Sequence, residues 1–146
     1  MMFAIVATSI HVDAVAQSVR THAYGAVVTF AGIVRNRADD DRPVSGLSYE
    51  AHDTMAVAEF ERIASEARDR FGPCEIAIVH RIGELAIGEV AVGVAAASAH
   101  RAVAFNACEY VIDEVKARAP IWKKEHYVDG SGEWIANDCR TAARSR

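Results

Sequence analysis

The segment Gly25–Val34, with the sequence GAVVTFAGIV, is the clearest β-strand in the chain. Its β-branched residues pack well on a pleated, half-buried surface. A polar loop follows over Asn36–Pro43, and Ser45–Ala51 is long enough to pair back as the next strand. We therefore expect a sheet whose neighbouring strands run antiparallel.

Strand-like runs alternate with helical patterns along the rest of the chain. Asp53 offers an N-cap for a long helix that Gly72 and Pro73 end, and Ser98 offers one for a second helix that Pro120 ends. The other predicted elements are a short helix over Val12–Thr21, strands over Phe3–Ser9, Glu75–Ile82, Glu89–Ala97 and Ile121–Tyr127, a connection between Gly83 and Gly88, and a turn at Asp129–Gly132. This order predicts an α+β fold with a mainly antiparallel sheet and helices packed on one side.

Length and composition suit one compact domain. The chain has 146 residues, of which 51% are hydrophobic, and a chain of this size can bury a substantial core. We expect a single domain over residues 1–146, with a mobile loop near 36–43 and a loosely ordered C-terminal tail near 136–146.

Charge and cysteine content exclude several classes of function. The 16 basic and 20 acidic side chains give a net charge of −4, which argues against a general nucleic-acid binder. The longest apolar run, Val90–Ala99, is about half of the ~20 residues that a membrane-spanning helix needs, and the first residues lack the basic region of a signal peptide. Cys74, Cys108 and Cys139 lie far apart, which indicates neither a disulfide framework nor a zinc site. We therefore expect a soluble, cytoplasmic protein with no membrane or nucleic-acid partner.

The three lysines form one window in a chain that otherwise uses arginine. Thirteen of the basic residues are arginines, whereas Lys116, Lys123 and Lys124 lie within nine residues. The compact, titratable amine of lysine suits chemistry that a guanidinium group does not. Lys116 also suits a helix end, where cations complement the dipole, and only one of two adjacent strand residues can face a site. From residue types alone, a structural role and a chemical one both stay open.

His100 and Arg101 open the second long helix, where the positive end of the helix dipole disfavours cations by ~0.3–1 kcal/mol. A bound anion such as a phosphate ester would make this arrangement favourable. The alternative is that both side chains turn to solvent or pair with a nearby carboxylate.

Arg35 and Arg37 follow the clearest strand, a common place to hold an anionic ligand and an equally common surface position. The run Asp39–Asp41 lacks the alternation and the glycine of a calcium loop, so we expect a solvated segment there. His80 is poor evidence for a metal site without a second histidine at helical spacing, and Cys108 is expected in the core. The chain contains no nucleophile-elbow, P-loop or dinucleotide-binding glycine motif, which disfavours α/β-hydrolases, nucleoside triphosphatases and dinucleotide-dependent enzymes.

Four motifs stand in a fixed order along the chain: Phe30-x-Gly32-x-Val34-Arg35-Asn36, His80-Arg81-Ile82-Gly83-Glu84-Leu85-x-x-Gly88-Glu89, Ser98-Ala99-His100-Arg101 and Lys116-x-Arg118-Ala119-Pro120-x-Trp122-Lys123. Each motif is weak alone, but the four in this order are specific. From about Gly25 to Ile135, the chain resembles the catalytic, large subunit of molybdopterin synthase.

The resemblance implies an α/β hammerhead-like fold and a sulfurtransferase of molybdenum cofactor biosynthesis. Such an enzyme converts cyclic pyranopterin monophosphate to molybdopterin by forming the dithiolene. The sulfur arrives as a thiocarboxylate on the C-terminal Gly-Gly of a small ubiquitin-like subunit. Two large subunits form a homodimer within a heterotetramer, and each pocket borrows residues from the neighbouring large subunit. The resemblance implies no metal and no redox cofactor.

The resemblance also carries roles onto particular residues of this chain. Two ammonium groups suit a thiocarboxylate and the oxyanion that forms when its acyl carbon is attacked. A helix N-terminus and arginine side chains suit a phosphate. Arg37 departs from a histidine that is frequent in the family. The matched positions are Lys116 and Lys123 as catalytic residues, and Arg35, Arg118, His100 and Arg101 as substrate-binding residues, with the last two expected from the partner chain.

Two other functions compete with this interpretation. A non-catalytic module could use the same basic pocket to bind a ubiquitin-like tail or a phosphorylated ligand. Lys123→Arg distinguishes it, because a site that needs only charge keeps its binding while a catalytic amine loses turnover. The second competitor is a phosphate-ester enzyme that works without a partner protein, for which the sequence shows no nucleophile–base pair.

Overall fold

A computed structural model describes residues 2–136 of the chain, so the expected tail near 136–146 and Cys139 lie almost wholly outside the described residues. The described part contains eight strands and three helices. In chain order they are β1 (Phe3–Val6), α1 (Val12–Val19), β2 (Ala26–Ile33), β3 (Val44–Ala51), α2 (Asp53–Phe71), β4 (Glu75–Arg81), β5 (Gly83–Ala86), β6 (Val90–Ser98), α3 (Arg101–Arg118), β7 (Ile121–Tyr127) and β8 (Gly132–Ala136).

The first sheet has the strand order β1-β4-β6-β2, and only its β1–β4 pair is parallel. Alternate residues of β6 face opposite sides of this sheet. Val94 and Ala96 pack with α2 and α3, whereas Ala95 and Ala97 pack with Val15 of α1. The predicted α+β class with mainly antiparallel strands is confirmed. The two long helices share one side, as predicted, and the short helix α1 covers the other.

The second sheet has the order β5-β3-β7-β8, and all of its pairs are antiparallel. Its edge strand β5 was expected to be part of a connection. Gly83 is the first residue of β5 and Gly88 follows its end, and their backbone φ angles are 95° and 88°, which L side chains rarely adopt. Within β5 only Leu85 is buried, and a single buried apolar side chain is too little to produce a recognisable strand pattern.

Both long helices begin at a histidine rather than at the residue predicted as N-cap. The Nδ1 atom of His52 accepts a hydrogen bond from the backbone N–H of Met55 at 3.2 Å, in the place expected for Asp53. Ser98 still belongs to β6, where its hydroxyl donates to the carbonyl of Pro73 at 2.8 Å. His100 is therefore the N-cap of α3, without a side-chain capping bond.

The C-terminal end of α3 is tied to α2 by an ion-pair cluster around Arg118. Its two terminal nitrogens donate to the two carboxylate oxygens of Glu66, at 2.6 and 2.9 Å, in the bidentate geometry that makes such pairs strong. Its Nε donates to Glu59 at 2.8 Å, and Glu114 lies at 3.4 Å. Because Glu59 and Glu66 belong to α2, this carboxylate clamp fixes the last turn of α3, which also carries Lys116.

The clamp predicts an acid-dependent stability. Hydrogen bonds from Arg118 and Tyr110 lower the pKa of Glu66 from 4.5 to about 2. Since the folded pKa lies below the unfolded one, the stabilisation is complete above pH 4.5 and is lost as the pH falls toward 2. Partial exposure and salt screening limit it to about 1 kcal/mol, so Glu66→Gln should lower Tm by about 2–4 °C at pH 7.

Thermal unfolding at pH 7 and at pH 3 checks this prediction. The difference in Tm between wild type and Glu66→Gln should be smaller at pH 3 than at pH 7. Glu61→Gln, on an exposed position of the same helix, provides the matched control. An equal Tm difference at both pH values would contradict the inference that the ionised Glu66 carboxylate of the clamp supplies this stability.

Candidate active site

A cavity of about 400 Å³ opens where β2, β3, β7 and the end of α3 meet. Four of its lining side chains are cationic and two are acidic. The chain as a whole has a net charge of −4, so positive charge is concentrated here against the overall balance. The cations are Arg35, Arg37, Lys116 and Lys123, and the acids are Asp39 and Glu125.

Two separate elements bring the two lysines together. Lys116 lies in the last turn of α3, and Pro120 then ends the helix so that the chain turns directly into β7. On β7, Lys123 pairs in register with Tyr49 of β3, which also lines the cavity. Lys124 pairs with Ser48 and does not line the cavity. Strand alternation therefore separates the two neighbouring lysines, as the sequence predicts.

The apolar part of the wall comes from β2 and β3. Phe30 and Gly32 of β2 lie there with Leu47 and Tyr49 of β3. A Cβ atom added at Gly32 would come within 2.6 Å of a methyl group of Val92, so a larger residue would force this part of the wall to move. The site thus combines a close-packed apolar wall with convergent charged groups, as ligand sites usually do.

Arg35 is held at the mouth of the cavity by a local ion pair. Its Nη2 donates to Asp39 Oδ1 at 2.8 Å, and both side chains are more than half exposed. Asp39 lies in the loop that joins β2 to β3. This loop is a compact hairpin, with backbone hydrogen bonds between Ala38 and Arg42 and between Asn36 and Val44. The predicted mobility of this loop stays a prediction.

The structure does not place Arg118 in the cavity, although the sequence analysis expects it to bind substrate. Its guanidinium donates to the carboxylates of Glu66 and Glu59, and these hydrogen bonds raise the pKa of Arg118 above its usual value. The sequence pattern could not reveal this, because Glu66 lies 52 positions away along the chain. Arg118 therefore acts on the cavity by fixing the helix end that carries Lys116.

His100 and Arg101 are exposed at the opposite end of α3. Sixteen residues of helix separate His100 from Lys116, which at 1.5 Å per residue is about 24 Å. Neither residue lines the cavity of its own chain. Their expected place in the pocket of a second chain stays a prediction.

Tyr49 and Glu125 line the cavity without having been singled out in the sequence, and Asp39, which was expected in a solvated segment, lines it as well. Glu125 could have been found from strand alternation, since it lies two residues after Lys123. Cys108 is buried on α3, as expected, and burial raises its pKa to about 11, which makes it a poor nucleophile. Within residues 2–136, no cluster of three histidine, cysteine or acidic side chains could hold a metal ion, and no helix is long and apolar enough to cross a membrane.

Comparison with known proteins decides the family. The sequence model described as "MoaE protein" matches residues 5–118. The chain belongs to the MoaE family. The molybdopterin synthase catalytic subunit of Rhizobium meliloti is 46% identical over 124 residues, which cover 84% of this chain and 78% of that protein.

Solved structures of the same kind share the MoaE fold. Molybdopterin synthase from Staphylococcus aureus superimposes with a TM-score of 0.85 at 36% identity, over 91% of this chain and 96% of that one. A complex of subunits 1 and 2 of the molybdopterin-converting factor from Helicobacter pylori has a TM-score of 0.70 at 22% identity, over 91% and 88% of the chains. At that identity the second likeness concerns the fold alone. The predicted family and its enzymatic activity, molybdopterin synthase, are confirmed.

The Arg35–Asp39 pair predicts how this MoaE-family cavity takes up anions. An anion that binds Arg35 must compete with the Asp39 carboxylate, and an exposed ion pair is worth ~0.2–1 kcal/mol. Asp39→Asn should therefore bind inorganic phosphate up to about fivefold more tightly, as measured by isothermal titration calorimetry.

Asp13→Asn is the matched control, because it makes the same change of charge on α1, on the other side of the first sheet. It should leave phosphate affinity unchanged. Weaker binding by Asp39→Asn would show that the carboxylate helps to build the site rather than to compete for it.

Proposed function

We propose that the cavity is the site at which this MoaE-family enzyme adds sulfur to cyclic pyranopterin monophosphate to give the dithiolene of molybdopterin. The donor is the thiocarboxylated C-terminus of a small ubiquitin-like subunit. The observation that carries the proposal is the meeting of Lys116 and Lys123, from α3 and β7, in one cavity with Arg35.

Lys116 and Lys123 act on the sulfur donor. Their ammonium groups attract the anionic thiocarboxylate and stabilise the oxyanion that forms on its acyl carbon. The sulfur attacks the side-chain carbon that carries an oxygen of the cyclic phosphate, so that a C–S bond forms as this C–O bond breaks and the phosphate opens to a monoester. Water then cleaves the acyl–sulfur bond and releases the small subunit as a carboxylate. A second loaded subunit delivers the second sulfur to the neighbouring carbon, whose oxygen leaves as water, and a second hydrolysis frees the dithiolene.

Arg35 of one chain, with His100 and Arg101 of a second, holds the phosphate of the substrate. Arginine suits this task because its fork matches two phosphate oxygens. The first turn of α3 contains no acidic side chain, so its N–H groups and dipole favour an anion there. Since about 24 Å of helix separates Lys116 from this end, the proposal requires a homodimer.

The surface of the chain supports such a homodimer. Strand β2 is an edge of the first sheet, and an unpaired edge can pair with another chain. Ile33 on β2 is 47% exposed and Phe105 on α3 is 60% exposed. We propose that this face joins two large subunits and that a small subunit at each end completes a heterotetramer.

The cavity also suits the tail of a small subunit. A C-terminal Gly-Gly has no side chains, so it can reach the lysines past the close-packed wall at Gly32. The buried Cys74 and Cys108 carry free thiols, which suits the reducing cytoplasm in which we place the reaction.

Substitution of each lysine tests the proposal. Lys116→Ala and Lys123→Ala should each lower product formation at least about a hundredfold, the usual cost of losing one group that stabilises an oxyanion. The assay contains the purified chain, thiocarboxylated small subunit and precursor, and measures dithiolene product. Lys124→Ala is the control and should retain activity, because Lys124 follows Lys123 in the chain but lies on the other face of β7.

The same assay separates catalysis from simple binding of a ubiquitin-like tail. Lys123→Arg keeps the positive charge but changes its geometry, so it should still bind the small subunit while its turnover falls. Full turnover by Lys116→Ala or by Lys123→Ala would contradict the assigned roles.

A further inference from the structure

His80 is a buried titratable group that the proposed reaction does not use. It is the next-to-last residue of β4, and its side chain is 1% exposed. Ile76 and Ile78 precede it on the same face, which packs against α2 and α3. The imidazole ring of His80 thus follows two isoleucines on a buried face of β4, near the end of the strand.

The hydrogen bonding of His80 defines its tautomer. Nδ1 lies 2.9 Å from the carbonyl oxygen of Arg81. A carbonyl only accepts hydrogen bonds, so Nδ1 carries the proton and, in the neutral ring, Nε2 is an acceptor. Burial, together with the nearby charge of Lys116, lowers the pKa of His80 to about 4, against the opposing effect of the hydrogen bond to the Arg81 carbonyl. The imidazole is therefore uncharged near neutral pH.

His80 reaches the cavity through Tyr49. The two rings meet edge to face, with centroids 4.9 Å apart and planes at 70°. Tyr49 lines the cavity together with Lys116 and pairs in register with Lys123. Lys116 and Lys123 are thus next to Tyr49 in the cavity wall, and the imidazole ring of His80 packs against Tyr49.

We propose that His80 is a positioning residue of this active site: its uncharged ring braces Tyr49 and so fixes the wall against which Lys116 and Lys123 are set. A cation at this position would repel Lys116, and a smaller side chain would leave Tyr49 free to move. The inference rests on the proposed role of the lysines, because bracing matters for turnover only if their ammonium groups act on the substrate.

The first test measures the coupling between His80 and Lys116 in a folded protein with an intact histidine. The ring of His80 is titrated by NMR between pH 3.5 and 7. Lys116→Ala should raise its pKa, because a neighbouring positive charge is removed, whereas Lys124→Ala should leave it unchanged. A pKa that does not move in Lys116→Ala would overturn the proposal.

The second test separates positioning from stability. His80→Phe keeps a ring against Tyr49, while His80→Asn keeps a donor for the Arg81 carbonyl but loses the ring. If bracing is the role, kcat should fall at least about tenfold in His80→Asn and less in His80→Phe, with KM for the precursor nearly unchanged. Ile78→Val is the control, because it removes one methylene from the same face of β4 and should keep kcat.

Two outcomes distinguish this inference from the proposed function. If folded His80 variants lose thermal stability but keep the kcat of wild type, His80 is structural and the inference is wrong. If Lys116→Ala itself retains turnover, the proposed catalytic role fails, and the NMR titration still decides whether His80 and Lys116 are coupled.

Discussion

The carboxylate clamp on Arg118 is the interaction on which the geometry of the site depends. It joins the last turn of α3 to α2 through a bidentate bond to Glu66 and a further bond to Glu59. Lys116 lies two residues before Arg118, and Pro120 directs the chain into β7, where Lys123 follows. A shift of this helix end would move both lysines, so an ion pair outside the cavity sets the distance between groups inside it.

The clamp also explains how a chain with a net charge of −4 keeps a cationic cavity. Three carboxylates of the chain, those of Glu59, Glu66 and Glu114, pair with Arg118 outside the cavity rather than with the lysines. In the cavity, Asp39 and Glu125 offset only part of the charge of two arginines and two lysines. The remaining positive charge is unfavourable in the empty site and would be offset by the anionic groups of the proposed substrates, because charges in a cleft attract bound ligands more strongly than charges in bulk water do.

Local patterns predicted the features that depend on local chemistry. Strand alternation separated Lys123 from Lys124, and Pro120 marked the end of α3. The features that were missed depend on contacts between distant segments. Arg118 pairs with Glu66 of another helix, and the contact between Tyr49 and His80 joins strands of different sheets. Strand β5 forms because it pairs with β3. The N-cap positions of His52 and His100 were missed because serine and aspartate are the residue types usually found at an N-cap.

The central proposal is that one active site draws Lys116, Lys123 and Arg35 from one chain and His100 and Arg101, at the N-terminal end of α3, from another. Mixing two inactive variants tests it most directly. Lys116→Ala and Arg101→Ala chains are unfolded together and refolded as a mixture, then assayed with thiocarboxylated small subunit and precursor. In a mixed dimer, one of the two sites contains only wild-type residues, so random pairing should restore roughly a quarter of the wild-type activity. A mixture no more active than the separate variants would contradict the shared site.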